Sequence, residues 1–131
     1  MSFSPDLLFV YGSLLDSTNE FGSYLQSNSV FIGKGKLRGR LYNLGSYPGA
    51  IADPTSGSFI SGSLVRIKKP SKTLKVIDDY EGFGDKQEQP NLFIRSVQTI
   101  ETENGPLRCW VYLYNLPVEG YEQIISGVYQ V

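Results

Sequence analysis

The chain has 131 residues, of which 40% are hydrophobic and 13% aromatic, and its formal net charge is −1. This size and composition predict a single domain, residues 1–131, built around one core. The near-neutral charge provides no global field that would attract nucleic acid or an acidic membrane surface. We therefore expect neither of them as a partner.

Histidine and cysteine usage restricts the chemistry further. The chain contains no histidine and one cysteine, Cys109, which excludes histidine-based catalytic triads, thiolate metal cages and an internal disulfide. Proton transfer must therefore use a carboxylate, a tyrosine or a lysine. We expect a cytoplasmic protein without a secretory signal or a membrane helix. The opening MSFSPD lacks a basic residue, and no apolar stretch approaches the roughly 20 residues that a bilayer requires.

The first predicted element is a buried strand that ends on a glycine. Residues Leu7 to Val10 are apolar, and the next residues break the pattern at once. A glycine at a strand tip lets adjacent backbone N–H groups point at one ligand atom, so the tip is a candidate anion or oxyanion cradle. An ordinary turn after a strand has the same letters, and this alternative stays open. The candidate residues are Tyr11, Gly12, Ser13 and Leu14.

A weak helix and two strands are predicted next. Ser17-Thr18-Asn19-Glu20 has the form of a capping box and predicts a helix start, although Gly22 weakens the helix. The following extended segments are residues 30–44 and 59–67, and the letters Ser46-Tyr47-Pro48-Gly49 predict a type II turn between them.

Four cations share one face of the first of these strands. They alternate with mostly glycine, a pattern that invites a nucleic-acid or phosphate-binding interpretation. The net charge is near zero, however, and the chain has no phosphate-binding GxxxxGK[ST] loop. We favour the alternative that the cations protect an edge strand from pairing with another chain. The cations are Lys34, Lys36, Arg38 and Arg40.

The clearest predicted helix starts at Pro70. Leu74, Ile77 and Tyr80 form an apolar stripe at helical spacing, and Gly82 can adopt the left-handed conformation that ends a helix. Because the helix ends there, the segment IDDYEG lies at its carbonyl end.

Glu81, in this segment, is the candidate general base. A helix C-terminus carries partial negative charge, and Asp78 and Asp79 add like charge nearby. We therefore expect the pKa of Glu81 to exceed the value of about 4.3 for a free glutamate. The alternative is a solvated cluster of acidic residues at a helix end.

A β-hairpin is predicted from the strands 92–102 and 107–116, which flank Glu103-Asn104-Gly105-Pro106. A two-residue Asn104-Gly105 loop and a four-residue loop give the same register, which pairs Arg95 with Tyr114 and Val97 with Tyr112. Cys109 falls on the opposite face, with Val111, and is predicted to be a core residue.

The other face of the hairpin is a second candidate site. It carries several aromatic side chains and one cation, which would need an anionic partner if buried. Such a face can line a pocket for a small polar ligand, or it can belong to the core. Its candidate ligand-binding residues are Arg95, Tyr112 and Tyr114, beside Phe93 and Trp110.

The last segment, Glu119 to Val131, predicts a short closing helix. Tyr121, Ile124, Ile125 and Val128 recur in it at helical spacing. The chain as a whole contains no repeat, linker or low-complexity tract.

The ordered set of motifs resembles the gamma-glutamylcyclotransferase-like superfamily, in particular the small branch that includes the gamma-glutamylamine cyclotransferases. The resemblance covers nearly the whole chain, and the order and spacing of the motifs match as well as their letters. It implies an α+β fold, a compact mixed β-barrel with a few flanking short helices. The segments that carry it are LFVYGSLLD, RLYNLGSYPGAI, IDDYEG, and FIRSVQTI with CWVYLYN.

The resemblance also implies an activity. In that family the α-amine of a γ-glutamyl substrate attacks its own γ-amide carbonyl, and 5-oxoproline and an amine or amino acid are released. No cofactor and no metal are required. The resemblance implies that the Tyr11 to Leu14 loop binds the γ-glutamyl group and that Glu81 is the acid–base residue.

One position departs from the family's pattern. Family members often carry tyrosine two residues before the arginine of the FIRSVQTI segment, where this chain has Phe93. The departure motivates an alternative function, a catalytically inactive small-metabolite-binding module of the same fold. The leaving group of the substrate and the oligomeric state stay open.

Overall fold

Seven strands and two α-helices make up the part of the chain that the structure, a computed structural model, describes: residues 3–15 and 18–130. A 3-10 turn, Ser13–Leu15, follows the first strand. In chain order the elements are β1 (Phe3–Val10), α1 (Glu20–Ser27), β2 (Ser29–Asn43), β3 (Pro48–Ala52), β4 (Phe59–Ile67), α2 (Pro70–Glu81), β5 (Phe93–Thr102), β6 (Gly105–Tyr114) and β7 (Glu122–Gln123).

The strands close into a mixed barrel. Their order is β3-β2-β4-β1-β6-β5, and β5 pairs back onto β2 through Glu101 and Lys36. The pairing of β1 with β6 is parallel, whereas the other pairings are antiparallel. The predicted α+β fold, a mixed β-barrel with flanking short helices, is confirmed.

Strand β1 is buried on both of its faces. Leu7 and Phe9 belong to the core inside the barrel, whereas Leu8 and Val10 pack in the second core, between the barrel and the helices. Burial on both faces explains why the segment is continuously apolar instead of alternating. It also fixes the position of the strand's tip. Cys109 is fully buried inside the barrel, as predicted.

Helix α1 begins at a different cap from the one expected. The Asn19 side-chain oxygen accepts a hydrogen bond from the Gly22 backbone N–H at 2.7 Å, so Asn19 is the N-cap. Ser17, the first residue of the predicted capping box, lies outside the described residues. The helix has 8 residues, in keeping with the weak signal in the sequence.

Helix α2 has the predicted bounds. Leu74 and Ile77 are buried, and Gly82 follows the helix with φ 75°, the left-handed conformation. The Phe83 N–H donates to the Asp78 carbonyl at 2.9 Å and closes the helix end. Within the described part of the chain no helix, α2 with its 12 residues included, is long and apolar enough to cross a membrane.

The turn before β3 lies earlier than predicted. It is closed by a hydrogen bond from the Leu44 N–H to the Tyr47 carbonyl, and Gly45 adopts φ 112°. Pro48 and Gly49 already belong to β3. A Cβ atom at Gly49 would lie 2.9 Å from the Tyr114 Cβ, so this glycine permits close packing and forms no turn.

The hairpin register differs from the prediction by two residues. Arg95 pairs with Tyr112 and Val97 with Trp110, because the loop consists of Glu103 and Asn104. Gly105, at φ 102°, takes the left-handed conformation directly after this loop. A shift by an even number leaves each side chain on its predicted face.

Strand β2 is not the edge strand that its cations suggested. It pairs with β4 over most of its length and with β3 at its end. Arg40 binds Asp53 at 2.7 Å, and the Arg38 guanidinium lies 4.4 Å from the centre of the Phe59 ring. These cations are matched by partners within the same chain.

The predicted closing helix is wrong. Residues Glu122–Gln123 form β7, which pairs with the end of β2, and turns surround it. Gly120 and Gly127 adopt φ 86° and 71°, and Ile125 is 77% exposed. The apolar residues at helical spacing therefore do not share one buried face.

We predict that Gly62→Ala destabilises the barrel, whereas Gly33→Ala does not. A Cβ at Gly62 would clash with the Val10 carbonyl oxygen and lie 2.7 Å from the Phe9 ring, whereas no atom of the described residues lies within 4 Å of a Cβ at Gly33. Overpacking of this kind costs about 1–3 kcal/mol. Thermal unfolding should show a lower Tm for Gly62→Ala and an unchanged or higher Tm for Gly33→Ala. Equal Tm values for the two variants would contradict this packing.

Candidate active site

A cavity of about 220 Å³ opens between the tip of β1, the last turn of α2 and the β5–β6 hairpin. Its volume suits a small metabolite. Five of the predicted site residues lie in its lining: Tyr11, Gly12, Leu14, Glu81 and Tyr112.

The other three predicted site residues are Ser13, Arg95 and Tyr114. Ser13 begins the 3-10 turn between Gly12 and Leu14. Arg95 and Tyr114 are absent from the described lining. The structure thus brings the strand tip and the candidate base to one cavity, and leaves two of the three hairpin candidates behind its wall.

Packing against β3 explains the glycine at the strand tip. A Cβ atom at Gly12 would lie 2.8 Å from Cγ of Pro48, which also lines the cavity. The Leu15 N–H donates to the Gly12 carbonyl at 2.9 Å and turns the chain sharply after the strand. Only a residue without a side chain allows the backbone to approach the cavity at this point.

The Tyr11 hydroxyl is part of the scaffold. It donates a hydrogen bond to the Tyr112 carbonyl at 2.6 Å and accepts one from the Ala50 N–H at 3.3 Å. These bonds join β1 to β6 and β3 in a buried setting, and burial raises the pKa of Tyr11 far above its usual value. What Tyr11 offers the cavity is its ring, because its polar atom is already bonded to the backbone.

The Glu81 carboxyl is poised for proton transfer near neutral pH. Burial raises its pKa from 4.5 to about 8. The residue is half-buried, because it lines the cavity. The pKa is raised as expected, but the two predicted causes, the helix C-terminus and like charge from Asp78 and Asp79, are wrong. Loss of hydration is the cause.

Asp78 does not act on Glu81 as a bare charge because it is paired. Arg95 donates to both of its carboxylate oxygens, from Nε at 2.7 Å and from Nη2 at 3.1 Å. The Tyr112 hydroxyl donates to the same carboxylate at 2.7 Å. The anionic partner that Arg95 needs is therefore Asp78, and its guanidinium is not turned to a ligand.

Tyr114 lies behind the cavity wall. Its ring packs edge-on against Phe93, with centroids 5.5 Å apart, and Phe93 in turn lies 6.0 Å from Tyr47. Phe93 and Tyr47 line the cavity. Phe93, at which the resemblance described above implies a tyrosine, is thus in the site itself.

Sequence reasoning missed part of the aromatic wall. Tyr47 and Tyr80 line the cavity. A signal was available, since each belongs to a motif already singled out, GSYPG and IDDYEG. The sequence pattern places Tyr80 in the apolar stripe of the helix and Tyr47 in a turn, and neither position indicates a cavity.

The cavity offers few charges. Within the described lining there is no lysine or arginine, and its ionisable groups are Glu81 and four tyrosines. Across residues 3–15 and 18–130, no three acidic or cysteine side chains are grouped so that they could hold a metal ion. The arrangement offers one carboxyl group of raised pKa, a strand tip with backbone N–H groups, and an aromatic wall.

In a comparison with known protein families, residues 8–131 match the family described as "Gamma-glutamyl cyclotransferase, AIG2-like". The chain is 34% identical over 121 residues to the gamma-glutamylcyclotransferase family protein ytfP of Citrobacter rodentium, covering 92% of this chain and 91% of that protein.

Solved structures show the same fold. The solution structure of ytfP from Escherichia coli is similar, with a TM-score of 0.65 and 29% identity, covering 94% of this chain and 95% of that one. The crystal structure of an aig2-like protein from Mus musculus has a TM-score of 0.74 at 18% identity, covering 95% and 88% of the two chains. The chain belongs to the AIG2-like gamma-glutamyl cyclotransferase family.

Proposed function

We propose that the protein is a cofactor-independent gamma-glutamyl cyclotransferase, which converts a γ-glutamyl amine or γ-glutamyl amino acid into 5-oxoproline and a free amine. The observation that carries this proposal is the common cavity lined by the Glu81 carboxyl and by the backbone of the β1 tip. Acyl transfer needs both a base and donors for the oxyanion. Family membership supports the same reaction class.

The first step is proton removal from the substrate. The ionised Glu81 carboxylate accepts a proton from the α-ammonium group, which frees the nitrogen lone pair. The nitrogen then attacks the γ-carbonyl carbon, a new C–N bond closes the five-membered ring, and the carbonyl oxygen takes the negative charge. Backbone N–H groups of Gly12 to Leu14 stabilise this oxyanion, at about 3 kcal/mol for each well-aimed donor.

The second step expels the leaving group. Glu81 returns the proton to the leaving nitrogen, the original amide C–N bond breaks, and the carbonyl forms again. The ring nitrogen, which carries two protons after the attack, gives one of them through Glu81 to the released amine. The products are therefore a neutral lactam and an ammonium ion, and Glu81 ends the cycle ionised. The aromatic wall holds the substrate folded with amine and carbonyl in contact, which avoids the entropy of a bimolecular encounter.

The proposed partner is a small γ-glutamyl molecule, and the proposed location is the cytoplasm. A single buried thiol, Cys109, suits a reducing compartment. We propose no metal or organic cofactor, since the two steps need only proton transfer and fixed dipoles.

A second candidate is a binding module of the same fold without turnover. Phe93 favours it, because the side chain lines the cavity and lacks the hydroxyl of the tyrosine that the family resemblance implies at this position. Thermal stabilisation by glutamate-like ligands without release of 5-oxoproline would support this candidate, and clear turnover would remove it.

We predict that the protein releases 5-oxoproline from at least one member of a panel of γ-glutamyl amines, γ-glutamyl amino acids and glutathione. Glu81→Gln should lower kcat by about a hundredfold or more, because an amide cannot take the ammonium proton. Glu103→Gln, on the exposed hairpin loop, is the matched control and should retain wild-type activity. No turnover of any substrate, or an active Glu81→Gln protein, would contradict the proposal.

The pH dependence of kcat/KM should follow the ionisation of Glu81 in the free protein. Because the carboxylate is the base and its pKa is about 8, kcat/KM should rise about tenfold per pH unit below that value and level off above it. Initial rates at subsaturating substrate from pH 5.5 to 9.5 test this. An inflection near the ordinary glutamate pKa would show that Glu81 is hydrated or is not the base.

The free energy of unfolding should depend on the ionisation of Glu81 as well, but it should fall as pH rises, whereas kcat/KM rises. The folded-state pKa of about 8 lies above the ordinary 4.5, so the native state binds the extra proton between these values and loses stability as pH rises through 8. Glu81→Gln removes this loss. Relative to the wild type, the free energy of unfolding of this variant should therefore increase by on the order of 3 kcal/mol between pH 5 and pH 9. Chemical denaturation of both proteins at pH 5 and at pH 9 measures this change. If the variant and the wild type differ in free energy of unfolding by the same amount at both pH values, burial of the carboxyl is contradicted.

A further inference from the structure

We propose that Asp78, held by Arg95 and Tyr112, is a positioning residue that fixes Glu81 relative to the strand tip across the cavity. These three residues are called the Asp78 cluster. The inference rests on the proposed function, and it assigns a role to residues that do not themselves touch the reacting atoms.

Asp78 is one turn before Glu81 on α2. Residues three apart in a helix lie on the same face, so a contact that holds one of them sets the rotation and depth of the other. Asp78 is held by three hydrogen bonds, from Arg95 Nε, Arg95 Nη2 and the Tyr112 hydroxyl, at 2.7, 3.1 and 2.7 Å. The last turn of α2 is therefore fastened to the β5–β6 hairpin.

Arg95 is itself confined. Its guanidinium lies 4.2 Å from the centre of the Trp110 ring and 5.8 Å from that of Phe83. The Arg95 and Asp78 side chains are only 17% and 16% exposed. A bidentate ion pair packed between aromatic rings holds its side chains in one geometry, whereas a solvated surface ion pair does not.

Tyr112 joins the two halves of the site. Its side-chain hydroxyl binds Asp78 on α2, whereas its backbone carbonyl accepts the hydrogen bond of Tyr11 at the end of β1. Its ring lines the cavity between them. Tyr112 thus connects the two elements that carry Glu81 and Gly12, and so sets the distance between them.

The cluster also controls the charge around Glu81. The ionisable groups that face Glu81 from β1, from the turn before β3 and from β6 are Tyr11, Tyr47 and Tyr112, and Tyr80 precedes it on α2. Burial raises the pKa of Tyr11, Tyr47 and Tyr112, so these three side chains are neutral through the titration of Glu81. Replacing Asp78 by a neutral side chain would leave Arg95 as an unmatched cation and loosen the helix end. Both effects favour ionised Glu81.

The chain supplies a matched control cluster of the same three residue types. Arg40 binds Asp53 at 2.7 Å and donates to the Tyr42 hydroxyl at 3.2 Å, and none of the three lines the cavity. Substitutions there remove an equivalent ion pair and hydroxyl without changing the support of α2.

The experiment compares Asp78→Asn and Tyr112→Phe with Asp53→Asn and Tyr42→Phe. With the best substrate of the panel, the first two should lower kcat about 10- to 100-fold with KM within about threefold, since a misplacement near 1 Å costs about that much. In ¹³C NMR titrations of the Glu81 side-chain carboxyl, Asp78→Asn should lower the pKa by at least about one unit. The two control variants should match wild type in both measurements.

The outcomes separate the two proposals. If wild type turns over no substrate, the proposed function fails, but the titration still tests the positioning role. If Asp78→Asn does not fold, Tyr112→Phe keeps the ion pair and should still lower kcat. Unchanged kcat and an unchanged Glu81 titration in the folded Asp78 and Tyr112 variants would overturn the proposal, even with a lower Tm.

Discussion

The organisation of this protein depends on the burial of one carboxyl group beside a strand tip. Glu81 ends a helix whose last turn packs over the barrel, and loss of hydration raises its pKa to about 8. A free surface glutamate would be almost fully ionised at neutral pH and a weak base. Burial in a cavity whose described lining contains no lysine or arginine supplies a stronger base in a chain that has no histidine.

The barrel makes that burial possible by fixing the other wall. Strand β1 is buried on both faces, and the hydroxyl of Tyr11 ties its end to β3 and β6. Gly12 allows Pro48 to approach within van der Waals contact of the backbone. These contacts hold the strand tip in place on the barrel, as preorganised donors require.

Local sequence patterns predicted the elements better than their junctions. Helix α2, its terminal Gly82 and the extent of β4 agree with the structure, because an apolar stripe and a capping glycine are local signals. The hairpin register depended on whether Gly105 directly follows the loop or lies inside it. The segment after Glu119 does not have the buried face that its spacing indicated. Both depend on contacts between distant parts of the chain.

The site shows the same division. Tyr11 to Leu14 and Glu81 stood out in the sequence as a possible pair, but their meeting at one cavity depends on the closed barrel. The sequence predicted that Arg95 needs an anionic partner. It did not show that this partner is Asp78, because the pair forms only where α2 packs on the hairpin. The sequence predicts Asp78 as a repulsive neighbour of Glu81, because nearness along a helix does not reveal the residue of another element, Arg95, that neutralises Asp78.

The most direct test of this account is the binding position of the proposed product. In a ¹⁵N-labelled sample titrated with 5-oxoproline, the account predicts amide shift changes concentrated at Gly12, Ser13, Leu14 and Glu81, with little change at the Arg40–Asp53 pair. Changes confined to another surface, or none at millimolar ligand, would contradict a single cavity that holds the γ-glutamyl group between the strand tip and the buried carboxyl.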